Sequence, residues 1–170
     1  SNLQSVDFSQ NSILEIISRN AFRSCRELRN IKLPDSVKKI GKEALFDCRS
    51  LKKIDFGENS NLEVIEFCAF NCSGLQSFEI PKKVTYIGNQ ALESCQNLSI
   101  VKFPSNSNLS HLGSFTLAQT NLKHIIVPSY IKTLDCGCFS CCDNLSSVEF
   151  LSDRLEIDQR LFMSSSNLLI

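Results

Sequence analysis

The chain has 170 residues, of which 42% are hydrophobic, enough for one continuous apolar interior. Its 18 basic and 18 acidic residues balance, which argues against a nucleic-acid or anionic-membrane binder carrying a basic stripe. No apolar run approaches the roughly 18 residues that a membrane-spanning helix needs.

In chain order, Leu3, Val6 and Phe8 form a leading half-unit. The first complete unit follows as Leu14-Glu15-Ile16-Ile17, Ala21-Phe22, Cys25 and Leu28-Arg29-Asn30-Ile31-Lys32-Leu33-Pro34. The pattern then returns six times. Its phase marker is Ile17, Ile40, Ile65, Ile87, Leu112, Leu134 and Ile157, in steps of 22 to 25 residues. A unit this short cannot bury its own apolar face, so it must stack on the next, and the period lies in the range of leucine-rich repeats.

The second half of each unit alternates like a strand: Leu28/Ile31/Leu33, Leu51/Ile54/Phe56, Leu75/Phe78/Ile80, Leu98/Val101/Phe103, Leu122/Ile125/Val127 and Leu145/Val148/Phe150. The last two apolar residues of each set are two apart and point to one face. Pro34, Pro81, Pro104 and Pro128 stop four of these strands, and Gly57 acts similarly after Phe56. Short joints (Pro34 to Val37, Pro81 to Val84) differ from a longer polar one, Gly57-Glu58-Asn59-Ser60-Asn61, which should bulge at one rim.

Between phase marker and strand, Ala21, Ala44, Ala69 and Ala91, then Thr116, Cys138 and Leu161, each precede a bulky residue from Phe22 to Phe162. This stretch predicts one turn of 3-10 or α-helix on the convex side. Gly41, Gly88 and Gly113 are read as allowing a sharp turn beside the phase marker.

Nine cysteines suggest a disulfide framework until they are placed in register. Cys25, Cys48, Cys72, Cys95 and Cys142 read as one repeat position, which makes a buried ladder of small side chains the simplest account. An odd total weakens a disulfide scaffold. Cys136, Cys138, Cys141 and Cys142 form one dense cluster, and zinc or redox chemistry there stays open, although the spacing fits no standard pair of zinc knuckles. Neither His111 nor His124 lies in a nucleophile, metal or phosphate-loop motif, so no catalytic residue, metal or cofactor is assigned and the chain reads as a non-enzyme. Of four Asn-x-Ser matches, only Asn108 sits in a long joint where a glycan could be accepted.

Residues flanking each central strand residue point away from the interior and form the inner surface of a curved array, the surface on which solenoids bind partners. Lys32, Asp55, Glu79, Ile100, Lys102, His124, Ile126 and Glu149 are the candidate partner-contacting residues. Ile100 and Ile126, beside Lys102 and His124, make an apolar spot with a polar edge.

Ile40-Gly41, Ala44-Leu45, Cys48, Leu51 and Ile54, then Val84, Ile87-Gly88, Ala91-Leu92, Cys95, Leu98, Val101 and Phe103-Pro104, resemble BspA-type leucine-rich repeats over roughly residues 3–170. The resemblance implies a right-handed leucine-rich repeat solenoid with one parallel sheet on the concave side. It also implies a cell-surface or secreted adhesion protein that contacts host or matrix proteins such as fibronectin and fibrinogen. No family binding residue maps onto this chain, because the matched positions are structural. An intracellular repeat scaffold with reduced thiols is the alternative, and a cytoplasmic location stays open with it. Residues 1–170 are expected to be a single solenoid of about seven repeats, part of a longer array, because the chain opens on half a unit and Leu168-Leu169-Ile170 stops within a strand. Any membrane anchor is expected outside this stretch.

Overall fold

The computed structural model describes residues 1–9, 11–158 and 160–165. Leu168-Leu169-Ile170 lie outside the described residues. Strands alternate between two faces of a parallel β-solenoid. In chain order they are β1 (Ile16–Ile17), β2 (Asn30–Lys32), β3 (Lys39–Ile40), β4 (Lys53–Asp55), β5 (Val64–Ile65), β6 (Ser77–Glu79) and β7 (Tyr86–Ile87). They continue as β8 (Ile100–Lys102), β9 (His111–Leu112), β10 (His124–Val127), β11 (Thr133–Leu134), β12 (Ser147–Phe150) and β13 (Glu156–Ile157).

The odd-numbered strands carry the phase marker and pair in parallel as β1-β3-β5-β7 and β9-β11-β13. The even-numbered strands carry the candidate face. They pair only two by two, as β2-β4, β6-β8 and β10-β12, rather than as one continuous sheet. The cause lies in the joints. Paired strands are separated by a short joint, as between Pro34 and Val37, whereas β4/β6 and β8/β10 are separated by the long joints at Gly57 and Pro104. A two-coil unit of 47 residues results. Pro34, Pro81 and Pro128 keep this spacing, as do Phe56, Phe103 and Phe150, and Ile40, Ile87 and Leu134.

One interior runs through all coils. Ile17, Ile40, Ile65, Ile87, Leu112 and Leu134 are buried in one row, and Leu28, Leu51, Leu75, Leu98, Leu122 and Leu145 in another. Burying each such side chain contributes roughly 1.5–3 kcal/mol before chain entropy is subtracted. Phe78 centres an aromatic cluster, with Phe70 at 5.3 Å and Phe56 at 5.6 Å, both edge-on. Val101 and Val148, expected inside, are only half-buried where they pack against this core.

The convex segment corrects the helical expectation. No helix occurs among the described residues; the chain makes successive turns instead. Amides alternate in their use. Ala21 and Arg23 donate back to Ser18 and Asn20 within their coil, while Asn20, Phe22 and Ser24 donate to Lys42, Ala44 and Phe46 of the next. The pattern recurs coil by coil, with Leu45 on Ala69, Phe70 on Ala91, Leu92 on Thr116 and Leu117 on Cys138. In each coil from Asn20 to Cys141 two residues four apart take a left-handed conformation, as at Glu43 (φ 55°) and Asp47 (φ 59°), and this interrupts any helix. A helix would satisfy its amides internally and forfeit the coil-to-coil bonds.

The glycines after the phase marker also act otherwise than predicted. Gly41 has no positive φ. A Cβ there would stand 2.8 Å from the Arg19 nitrogen and 2.9 Å from the Ile17 carbonyl oxygen. Gly88 meets Phe67 and Glu66 in the same manner. These residues permit close stacking of coils.

Candidate protein-binding face

On the even-numbered strands the central residue turns inward and its neighbours turn outward, giving the exposed–buried–exposed pattern of β2 and β4. Lys32, Asp55, Glu79, Lys102, His124 and Glu149 are all exposed, and Ile100 and Ile126 are 51% and 44% exposed. Register then decides their partners. Lys32 faces Asp55 with 3.9 Å between charged groups, and Glu79 faces Lys102 at 3.7 Å. Exposed pairs of this kind contribute at most about 1 kcal/mol each. On the third strand pair the opposed residues are Ile126 and Glu149, so Glu149 has no cation opposite it in that row. His124 Nδ1 lies 2.7 Å from Ser147 Oγ in the other outward row. Opposite charges thus face each other in one row of each of the first two strand pairs, with Lys53 facing Asn30 in the other row of β2 and β4, and the apolar character concentrates on β8 and β10.

The opposite side holds residues that the strand pattern does not reveal. Ile16 and Tyr86 are each about half exposed on β1 and β7, in one row with Lys39 and Val64. The residue before each phase marker is the signal that locates this row. Further along, His111 bridges two coils, its Nδ1 2.6 Å from Thr133 Oγ1 and its Nε2 3.2 Å from Asp135. All three groups lie on the solvent side of paired strands β9 and β11, where they tie neighbouring coils together.

All nine cysteines are free thiols. The ladder is real, but its membership differs from the reading above: Cys72 stands one residue early, and Ser73 occupies its place. The position reads Cys25, Cys48, Ser73, Cys95, Thr120, Cys142 and Ser165. Its side chains donate to carbonyls of the bulky convex residues. Cys48 donates to Phe22, Cys95 to Phe70 and Cys142 to Leu117, each at 3.2 Å, and Ser165 donates to Phe139 at 2.8 Å. Burial pushes the Cys48 and Cys95 thiols up to about 12, which keeps them protonated as donors. Of the dense cluster, Cys138 and Cys142 face the interior, Cys136 is half-buried and Cys141 is exposed. Among the described residues no group of three or more His, Cys, Asp or Glu side chains is arranged to hold a metal ion.

Asp47 is a buried carboxylate, 4% exposed, at a left-handed turn position. It accepts from Arg49 Nε at 2.6 Å and Arg26 Nε at 2.8 Å. Burial alone would raise its pKa, but the two guanidinium groups outweigh that and hold it below the usual carboxylate range.

Several solved structures share this architecture. The pneumococcal vaccine antigen PcpA is 33% identical with a TM-score of 0.69, over 72% of this chain and 30% of that one. The chain therefore spans less than a third of that protein's structure. A leucine-rich repeat protein of T. pallidum is 26% identical with a TM-score of 0.79, over 88% of this chain and 70% of the other. A leucine-rich cell surface protein of Faecalibacterium prausnitzii is 22% identical with a TM-score of 0.58, over 82% and 44%, and shares the fold. Comparison with curated proteins gives no match. Residues 1–108 and 63–169 match the BspA type leucine-rich repeat region, in six copies. With its stacked coils, its inward Ile and Leu rows and these matches, the chain belongs to the BspA-type leucine-rich repeat family.

Proposed function

We propose that the chain is a non-catalytic protein-binding module of a cell-surface protein, and that it adheres to a host or matrix protein through its concave strand face. The contact centre is Ile100, Lys102, His124 and Ile126, with Lys32, Asp55, Glu79 and Glu149 around it. The observation that carries this reading is the exposure of two isoleucines on β8 and β10, on a face where Lys32 pairs with Asp55 and Glu79 with Lys102. Desolvating Ile100 and Ile126 against a partner adds hydrophobic energy, while Lys102 and His124 give direction. The surface location draws support from the likeness to a vaccine antigen.

The test is surface plasmon resonance of the full chain over immobilised fibronectin and fibrinogen. Saturable binding that weakens with Ile126→Asp, at an unchanged circular dichroism spectrum, supports the reading. Absence of saturable binding to either protein, or equal binding by the variant, removes it.

A further inference from the structure

The alternation of joints leaves a corrugated rim beside the concave face. The long joints are braced ridges. In each, a serine hydroxyl accepts the amide two residues on: Ser12 from Leu14, Ser60 from Leu62 and Ser107 from Leu109. The ridge at Gly57 is further held by Asn61, whose backbone amide and side-chain Nδ2 both donate to the Asp35 carbonyl at 3.0 Å. Gly57 itself, at φ 73°, leaves room for the Asp35 carboxylate, which a Cβ would strike. Short joints form the valleys. One groove, of about 470 Å³, has Phe8 and Pro34 in its lining, and a second, of about 550 Å³, is lined by Phe56, Pro81, Phe103 and Pro104. Glu58 borders both.

The two valleys are one 47-residue unit apart, which is two coils. Paired parallel strands lie about 4.8 Å apart, so across β2/β4 and the unpaired β4/β6 interval the valleys repeat at no less than about 9.6 Å. A polyproline II helix advances about 3.1 Å per residue with three residues per turn, so residues i and i+3 point the same way about 9.3 Å apart. A β-strand cannot meet this demand, because its i and i+3 side chains point to opposite faces. Half-buried Phe8 and Pro34 in the first groove, and Phe103 and Pro104 over the buried Phe56 and Pro81 in the second, offer ring surface that suits prolyl rings. The rim also has a sign: with Asp55 paired to Lys32 and Glu79 to Lys102, Asp7, Asp35 and Glu58 border the grooves against Lys53 and Lys82.

We propose that this rim binds an extended, proline-rich, lysine- or arginine-bearing peptide segment of a partner protein, laid along the solenoid axis with prolines three residues apart in the two grooves. The site shares Lys32, Asp55 and Glu79 with the edge of the concave face but not the Ile100/Ile126 centre, and does not rest on it.

The probe is a synthetic (Pro-Pro-Lys)5 peptide titrated into the isotope-labelled full chain by NMR. Saturable binding is expected, with shifts in the rings of Phe8, Phe56 and Phe103 and not in the methyls of Ile100 and Ile126. Glu58→Lys should weaken it by about fivefold or more, whereas the same charge change at exposed Glu27, away from the grooves, should act much less. (Gly-Ser-Lys)5 carries the same charge without the helix and (Pro-Pro-Glu)5 the helix without the charge; both should bind at least about tenfold more weakly. Lack of saturable binding by (Pro-Pro-Lys)5, equal binding by either control peptide, equal weakening by Glu58→Lys and Glu27→Lys, or shifts confined to Ile100 and Ile126 would each overturn the assignment.

Discussion

The Cys95 thiol donates to the Phe70 carbonyl at 3.2 Å, across the boundary between two coils. That bond gives a small polar side chain a reason to recur here: the Phe70 carbonyl, already accepting from the Ser73 amide, gains a second donor from the next coil. Ser, Thr and Cys can each supply that donor. Cys95→Ser should therefore keep the bond and change stability least, since Ser73 and Ser165 hold equivalent positions, whereas Cys95→Ala should cost about 0.5–1.5 kcal/mol by removing the inter-coil bond while the Phe70 carbonyl keeps the Ser73 amide. Urea unfolding of the two variants checks the order.

The same thiols set an alkaline limit. Cys48 and Cys95 titrate near 12 in the folded chain, because of burial, against about 8.5 unfolded. The folded state thus holds protons that the unfolded state releases. Their contribution is whole below about pH 8.5 and is lost as pH rises toward 12, at about 1.4 kcal/mol per pH unit for each thiol. Burial raises Cys68, Cys138 and Cys142 as well, so unfolding free energy measured from about pH 8.5 to 11 should fall at least that steeply, and Cys95→Ser should remove one thiol's share.

Asp47 acts at the other end of the scale. Its depressed pKa means that it stabilises the fold above the ordinary carboxylate pKa and loses that effect as pH falls through its folded value, below about pH 4. Asp47→Asn keeps a residue tolerant of the left-handed turn and should cost about 1.5–3 kcal/mol at neutral pH, through loss of charge-assisted bonds to Arg26 and Arg49. It should also flatten the acid limb. Thermal unfolding between pH 3 and 7 measures both.

Gly41→Ala should destabilise by about 1–3 kcal/mol, because the new methyl meets backbone atoms of the preceding coil at 2.8–2.9 Å. The cause is steric and not conformational, so the loss should persist although φ at this residue suits alanine. Denaturant titration gives the value.

How far these features were legible follows from the repeat itself. The inward rows, the outward rows and the strand positions could be read directly, because a period of two fixes the face of every strand residue once Ile31 or Ile54 is known to be inside. Cys72 misled because residue identity suggested the ladder; counting four from Ala69, as Cys48 follows Ala44, reaches Ser73 instead. The convex turns were hidden because alternating intra- and inter-coil amides leave no compositional trace, and Gly41 reads the same for a turn as for close approach. The interrupted sheet and the grooves depend on the alternation of short and long joints, a signal at 47 residues that a single-unit register averages away. The contact role proposed for Ile100 and Ile126 depends on a partner surface, which no property of this chain encodes.

Register is the premise beneath both proposed surfaces, and β10 offers its most direct test. Ile125 is 3% exposed and its neighbour Ile126 is 44% exposed. Urea unfolding of Ile125→Asp beside Ile126→Asp should show the first unfolded or severely weakened by its buried charge, and the second at the parent midpoint. Equal losses, or a greater loss for Ile126→Asp, would contradict the solenoid register and the binding face built upon it.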